Sequence, residues 1–400
     1  MLSATLFLSF AASALAARPF LNEPDTGSVQ GASANWLARI DDALAGFAAN
    51  RTLPPLENII GLPDFEWAAR NVIPIKNYTY YRNGAAGEWS YRNNLEVFSR
   101  FRLRPRVMVD ITNIENTLNT TILGQNFSAP FYISPCARAD YAHPEAEAGL
   151  VKAAAAGNIL YMPALYAHLN IEEIAAARPE NGTTFQQVYL NANDTATAEI
   201  FKRAEAAGSK AIVYTADSAA DGNRHRALRY GVGSADSSYT PSSWEYYKKL
   251  QTMTTLPIII KGIMTVEDAQ LAVDNGAPAI VLSNHGGRQL DGSPSSLEVA
   301  LEIHEQAPGI FQKIEVYADG GVRYGADALK LLALGVKAVG IGRPMMYANA
   351  YGAEGVLHAI NILKKELALD AGNMGVADLK KIDASYMKWN SAASNGWYSR

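Results

Sequence analysis

LPIIIKGIMTVEDAQLAVDNGAPAIVLSNH, residues 256–285, holds one full structural repeat. Its first run, 256–262, is apolar and rich in isoleucine. Its last run, 278–285, is apolar to Leu282 and then turns polar. Short apolar runs of this kind read as strands buried on both faces. Between them, Thr265 and Asp268 resemble an acidic capping box ahead of AQLAVDNG, so the middle reads as a helix.

Working outward, the same alternation recurs. Six further apolar runs rich in Val, Ile and aromatics lie at 129–136, 159–164, 184–190, 210–217, 314–320 and 337–342. Helical patterns separate them: His143–Ala156 ending at Gly157, Asn170 capping IEEIAAA, Ala196–Ala207 ending at Gly208, and Tyr324–Leu334 ending at Gly335. Eight strand–helix units in one α/β chain predict a closed (β/α)8 TIM barrel with a parallel eight-stranded sheet, rather than an open doubly wound sheet.

The predicted organisation is a secretory signal peptide at 1–16, an N-terminal extension at 17–55 with one helix at Trp36–Ala49, a barrel at 56–385, and a C-terminal tail at 386–400. The apolar start is too short to span a bilayer and ends in Ala14-Leu15-Ala16, a small-x-small cleavage pattern. Six Asn-x-Ser/Thr sequons follow, at Asn50, Asn77, Asn119, Asn126, Asn181 and Asn193. An extracellular glycoprotein is therefore expected, with Asn77 the least suited to a glycan because it lies beside the site. Cys136 is the single cysteine, which excludes an intramolecular disulfide.

The 400 residues carry 35 Lys plus Arg against 39 Asp plus Glu, for a net charge of −4. No long run of one sign occurs, which argues against a nucleic-acid partner. No further apolar stretch is long enough to span a membrane, and no metal-ligand spacing stands out.

Polar residues gather where the predicted strands end: Pro135-Cys136, Gln187 and Tyr189, Thr215 and Asp217, Lys261, Ser283 and His285, Asp319, and Gly342-Arg343. That rim is where barrel enzymes keep their sites. Two Gly-rich stretches, Asp319-Gly320-Gly321-Val322-Arg323 and Gly340-Ile341-Gly342-Arg343-Pro344, close the last two strands. Glycines admit backbone N–H groups to an anion, and arginines add charge. The pair predicts a phosphate site. Lys261 on an apolar strand suits either an anion in the barrel mouth or a Schiff base. SNHGGRQ, 283–289, places an imidazole and a guanidinium three residues apart. His285 is the candidate base, Arg288 the carboxylate clamp, and Asp217 the group that orients His285.

SNHGGRQLD resembles the active-site signature of the FMN-dependent α-hydroxy-acid oxidases and dehydrogenases, a family that includes glycolate oxidase, lactate oxidase, mandelate dehydrogenase and the flavocytochrome lactate dehydrogenases. The likeness runs over 53–385 and includes LPPLENIIGLPDFEWAAR (53–70), YYRNGA (80–85), FRLRPRVMVDITN (101–113), HPE, QVY, TAD, GNR, KGI, DGGVR and GIGRP. It implies FMN as cofactor and oxidation of a 2-hydroxy acid to the 2-oxo acid. Reoxidation by O2 would give H2O2. The alternatives are a dehydrogenase with a quinone or protein acceptor, a monooxygenase, or a barrel that binds flavin without turnover. It also implies a homotetramer.

By the same resemblance, His285, Asp217, Tyr189 and Lys261 are catalytic. Tyr80, Arg224, Arg288 and Tyr189 hold substrate. Pro135, Cys136, Ala137, Pro163, Gln187, Thr215, Lys261, Ser283, Asp319, Gly320, Gly321, Arg323, Gly342 and Arg343 bind the flavin. The chain departs from the family at Pro163-Ala164, at Arg138, at Cys136, at Tyr166, where the family often has Trp, and in a shortened stretch from Arg224 to Trp244. A shorter cover and an added cation predict a bulkier or dianionic hydroxy acid than glycolate or lactate.

Overall fold

The computed structural model describes residues 51–233 and 242–389. The expected signal peptide, the Trp36–Ala49 helix, Asn50, residues 234–241 of the shortened stretch and residues 390–400 lie outside the described residues.

Eight parallel strands form one sheet: β1 (Phe131–Ile133), β2 (Leu160–Tyr161), β3 (Gln186–Val188), β4 (Ile212–Thr215), β5 (Ile258–Ile263), β6 (Ala279–Leu282), β7 (Glu315–Asp319) and β8 (Ala338–Ile341). Their order is β2-β1-β8-β7-β6-β5-β4-β3. A parallel bridge from Tyr161 to Thr184 joins β2 to the entry of β3 and closes the ring. Phe185 N–H donates to Tyr161 O at 3.2 Å across the same seam. The barrel read from the sequence is present.

Seven of the eight predicted strands contain the observed one, and most observed strands are shorter at the C-terminal end. Ser134–Cys136, Ala216-Asp217 and Ser283–His285 leave the ladder where polar residues begin. The strand β5 instead runs one residue further, to Ile263. The ladder between β5 and β6 shifts register between Lys261 and Ile263. Gly262 sits in that irregularity with φ +110°, and an added Cβ would come within 2.5 Å of the Asp217 Cβ. Glycine is needed here because it is what lets β5 lie against Asp217.

Side chains fill the lower barrel. Tyr132, Leu160, Met162, Phe185, Val213, Ile259, Val281 and Tyr317 form one buried cluster. An antiparallel hairpin, Thr120–Ile122 with Gln125–Phe127, inserts Ile122 and Phe127 into that cluster and stops the N-terminal end. Leu123 N–H donates to Glu315 Oε2 at 3.1 Å, which ties the plug to β7. With one end filled, the open end is the C-terminal rim.

The helices follow their signals with small shifts. Asn170 caps Ile171–Ala177 through a reciprocal pair: its Oδ1 accepts Glu173 N–H at 2.9 Å, and Glu173 Oε2 accepts Asn170 N–H at 2.8 Å. Thr265 accepts from Asp268 N–H at 3.1 Å. The helix expected from His143 begins at Glu147, because Ala146 holds φ 50° and ψ −131°. Among the described residues, three α-helices precede the repeats: Leu62–Val72, Ile75–Arg82 and Trp89–Glu96. At the far end, Met387–Lys388 pairs antiparallel with Arg102–Leu103. The first residues of the stretch expected as a tail are therefore part of the body.

Asn170→Ala removes one half of a reciprocal cap, so it should lower stability by about 1 kcal/mol. Chemical unfolding of the variant and the parent under the same conditions measures it.

Candidate active site

The cleft at the rim has two lobes. The larger, about 710 Å³, is lined by the two glycine stretches, Arg323, Arg343, Asp319, Ser134 and Tyr81. The smaller, about 370 Å³, is lined by Ala164, Tyr166, Gln187, Tyr189 and Thr215. Tyr80, Pro135, Cys136, Ala137, Lys261, His285 and Arg288 line both. The predicted residues from β1, β3, β5, β7 and β8 thus converge on one space.

Lys261 is 4% exposed. Its Nζ donates to Ser283 Oγ at 3.0 Å and lies 3.7 Å from Asp217 and 3.9 Å from Asp319. Burial opposes its charge, but the two carboxylates outweigh burial and raise its pKa. Asp217 mirrors this. Burial would raise its pKa, yet Lys261 and His285 hold it below the usual carboxylate range.

His285 Nδ1 lies 2.8 Å from Asp217 Oδ1. An ionised carboxylate only accepts, so Nδ1 carries the proton and Nε2 keeps its lone pair. Burial lowers the imidazole pKa first, Asp217 raises it, and Lys261 and Arg288 lower it. The net direction is below the ordinary value of 6.5. A neutral imidazole with an orienting carboxylate is the state a general base needs.

Backbone geometry aims these groups. His285, Gly286 and Gly287 all have positive φ, at 59°, 64° and 74°. A Cβ on Gly287 would meet Tyr91 N at 2.5 Å, so the turn packs directly on the Trp89–Glu96 helix. Arg288 lies over the Tyr80 ring at 5.5 Å. Tyr166 stacks on Tyr189 with centroids 5.1 Å apart and planes 15° apart.

Four predicted residues stand behind the cleft surface rather than on it. Asp217 backs His285. Ser283 Oγ bridges Lys261 to Asp319, donating to Asp319 Oδ1 at 2.6 Å. Pro163 contributes its carbonyl to Gln187 N–H at 2.9 Å, and Ala164 takes the lining position. Arg224 is buried, and its Nε donates to Arg288 O at 3.1 Å while another of its nitrogens reaches Gln289 Oε1. It braces the clamp loop. Arg138, expected as an added cation, forms a two-pronged ion pair with Asp140 at 2.9 and 2.7 Å and does not line the cleft. Its charge is spoken for within two residues.

Sequence reasoning gave no role to Tyr81 or Ser134, each beside a residue it named, and gave Ala164 only as part of a departure from the family. It also passed over Glu66, which lies 3.8 Å from Arg323, and Asn94, whose amide exchanges two 2.8 Å bonds with Asn284. Strand alternation with Tyr132 would have placed Ser134 inward. Nothing in the spacing marks Glu66 or Asn94.

The larger lobe suits a phosphate ester. Arg343 donates to Tyr81 O at 2.6 Å, Gly286 O at 3.0 Å and Asn83 O at 2.8 Å, which uses three of its five N–H groups. Burial lowers its pKa, and the nearby Arg288 and Arg323 charges lower it further. Crowded guanidinium groups of this kind call for an anion. A Cβ on Gly321 would sit 1.8 Å from Asn94 O, and one on Gly340 would sit 2.2 Å from Ser134 Oγ. The glycines bring the walls close without filling the lobe. Cys136 is a thiol rather than a thiolate, since burial raises its pKa.

Residues 69–241 and 234–389 match the FMN-dependent dehydrogenases. The chain belongs to that family. It is 36% identical over 368 residues to glycolate oxidase of Spinacia oleracea, covering 84% of this chain and 98% of that one. It is 35% identical to a cytochrome-type L-lactate dehydrogenase of Wickerhamomyces anomalus over 353 residues, covering 82% of this chain but only 61% of that longer protein. Among solved structures, a flavocytochrome b2 variant with pyruvate bound superposes with a TM-score of 0.81 at 32% identity, covering 92% of this chain and 94% of that one. A mandelate oxidase with 3,3-difluoro-2-hydroxy-3-phenylpropionic acid gives 0.75 at 34% identity, covering 83% and 99%. FMN is the cofactor of this family member, and the residues lining the two-lobed cleft fit it.

The His285 imidazole should titrate below 6.5. Asp217→Asn removes the charge that raises its pKa, so the titration should move further down. NMR of ring-labelled histidine, assigned with His285→Gln, reads both.

Proposed function

We propose that the protein is an oxidase that converts a bulky 2-hydroxy acid to its 2-oxo acid, with O2 reoxidising the flavin to give H2O2. The observation that carries the reading is the meeting of two pairs across the space shared by both lobes. The His285–Asp217 pair is a neutral base with its orienter. The Arg288–Tyr80 pair sets a guanidinium 5.5 Å from the centroid of a phenol ring, both lining the same space.

Arg288 and Tyr80 bind the substrate carboxylate and so fix which face of the carbinol meets the base. Tyr189 contacts the hydroxyl, and His285 removes a proton from the carbinol group. Asp217 stabilises the imidazolium that results. When bound, FMN supplies the acceptor for the electron pair that leaves the carbinol carbon. Lys261 lies where it neutralises negative charge gained there, held by Asp217 and Asp319. Gln187 and Thr215, joined at 2.9 Å, offer polar atoms to the flavin ring edge. Gly321, Arg323, Gly342 and Arg343 would hold its phosphate.

Bulk is supported by the far wall of the smaller lobe. The Tyr166–Tyr189 stack is flat and apolar, and Tyr166 is 43% exposed, so the wall opens toward solvent. Aromatic faces suit an aryl or long alkyl group. The mandelate oxidase likeness agrees. Because Asp140 neutralises Arg138, an aromatic or long-chain acid is favoured over a dicarboxylate.

We further propose secretion and N-glycosylation, from the small-x-small pattern at 14–16 and the sequons. Asn119, Asn126, Asn181 and Asn193 are exposed, whereas Asn77 is half-buried.

His285→Ala should keep FMN yet lose about 10²–10⁴-fold in turnover. Peroxide release over a panel of 2-hydroxy acids tests acceptor and substrate together. Aromatic or long-chain acids should exceed glycolate and lactate in kcat/KM, and Arg138→Ala should leave the order unchanged. Full turnover with an artificial acceptor but no peroxide would overturn the oxidase assignment.

A further inference from the structure

Glu88, Arg82 and Arg226 are buried, and none of them lines the cleft. Glu88 Oε1 accepts Gly84 N–H at 2.9 Å and Arg226 Nε at 2.8 Å. Its Oε2 accepts a second Arg226 nitrogen at 2.6 Å and Arg82 at 3.3 Å. One carboxylate thus gathers four donors from two widely separated segments. Burial opposes its charge, but the Arg226 bond and the Arg82 charge bring its pKa down to about 2. It is ionised at any working pH, so it acts as a fixed pin and not as a switch. Its backbone φ is 60°, a conformation a glutamate holds only where its surroundings enforce it.

The turn that Glu88 pins touches every element bearing the substrate clamp. Asn83 Nδ2 donates to Tyr80 O at 2.7 Å, at the end of the helix that carries Tyr80. Ala85 N–H donates to Gly287 O at 2.8 Å, one residue before Arg288. Ala86 N–H donates to Asn223 O at 2.6 Å, beside Arg224, which itself donates to Arg288 O. Gly87 and Ser90 N–H groups donate to the Asp291 carboxylate at 3.1 and 2.8 Å. The Tyr80 helix, the His285–Asp291 loop and the 223–226 segment are therefore set relative to one another through residues 83–90.

We infer that Glu88, acting through Arg82 and Arg226, is a positioning residue that sets the spacing of Tyr80 and Arg288 for the substrate carboxylate; this rests on reading those two residues as the clamp. Packing alone would keep the segments near each other. A planar fork on a carboxylate also fixes their orientation, which a bidentate clamp requires.

The test uses FMN-loaded holoenzyme. Glu88→Gln keeps the shape and removes the charge. KM for the best hydroxy acid, and the dissociation constant of its 2-oxo product for the oxidised enzyme, should rise roughly tenfold or more, since misplacement by an ångström costs up to about 100-fold. The product constant is read from the change in the visible flavin spectrum. FMN content should stay at the parent level and kcat should fall by a smaller factor than KM rises. Glu88→Asp, which keeps the charge, should lie closer to the parent than Glu88→Gln. Parent-like KM and product affinity in Glu88→Gln overturn the inference, as does FMN loss in step with affinity, which marks general loosening. If Glu88→Gln does not fold, Arg82→Lys decides: a smaller rise in KM supports the inference, and an unchanged KM overturns it. Arg288→Lys separates the premise. If it leaves KM and product affinity unchanged, the clamp reading fails. If it weakens both while Glu88→Gln does not, only the positioning role fails.

Discussion

A buried ammonium between two carboxylates holds this site together. Lys261 lies 3.7 Å from Asp217 and 3.9 Å from Asp319, and these residues come from the ends of β5, β4 and β7. Each contact is worth roughly 4 kcal/mol at an effective dielectric constant of 20. That is comparable to the several kcal/mol that each buried ion loses in desolvation. The cluster therefore holds its charges without a large net gain in stability, and its use is chemical. Two carboxylates and one ammonium leave one negative charge, which favours an imidazole poised to accept a proton. Arg288, Arg323 and Arg343 line the same cleft, with Glu66 against Arg323. One set of groups handles protons while the other handles anions.

The cluster depends on backbone more than on side-chain packing. The ladder of β4 and β5 places Thr215 opposite Lys261. The irregularity after Lys261 and the positive φ of Gly262 bring Asp217 alongside. The three successive positive φ values at 285–287 then carry the imidazole over Asp217 and the next guanidinium toward Tyr80. His285 holds a φ of 59° as a residue with a Cβ, and local strain of that kind persists where a site over-determines it. Here the Asp217 bond and the His285 N–H bond to Ser283 Oγ at 3.1 Å do so.

The sequence exposes the parts of this design that are local. The eight strands are readable because each is a short apolar run between helical patterns. The rim residues are readable because polarity begins where the ladder stops. Arg138 was misjudged because a lone arginine near the mouth looks like a cation in search of an anion, and the partner two residues on becomes evident only when φ 62° turns the chain. Arg224 is expected at the substrate from the family resemblance, and the fold sends its Nε to the Arg288 carbonyl. The Glu88 cluster could not be seen at all. Its members sit at 82, 88 and 226, and no periodicity relates a turn before the barrel to the short helix His225–Arg229 after its fourth strand.

That division follows from what the barrel can and cannot supply. Ladder register sets the rim positions of neighbouring strands, so groups that must act together on the reacting carbon can be written into strand ends and inherited with the repeat. A substrate's far end lies beyond the rim, where no register reaches. Tyr80 comes from a helix ahead of the barrel, Tyr166 from the exit of β2, and Arg288 from a loop pinned by Tyr91 and by residues 83–90. Each is placed by ties outside the strand ladder, from side chains and backbone alike. The chemistry of the site can therefore stay constant while those outer ties change, and substrate preference follows from what braces Tyr80, Tyr166 and Arg288 rather than from the residues that perform the oxidation.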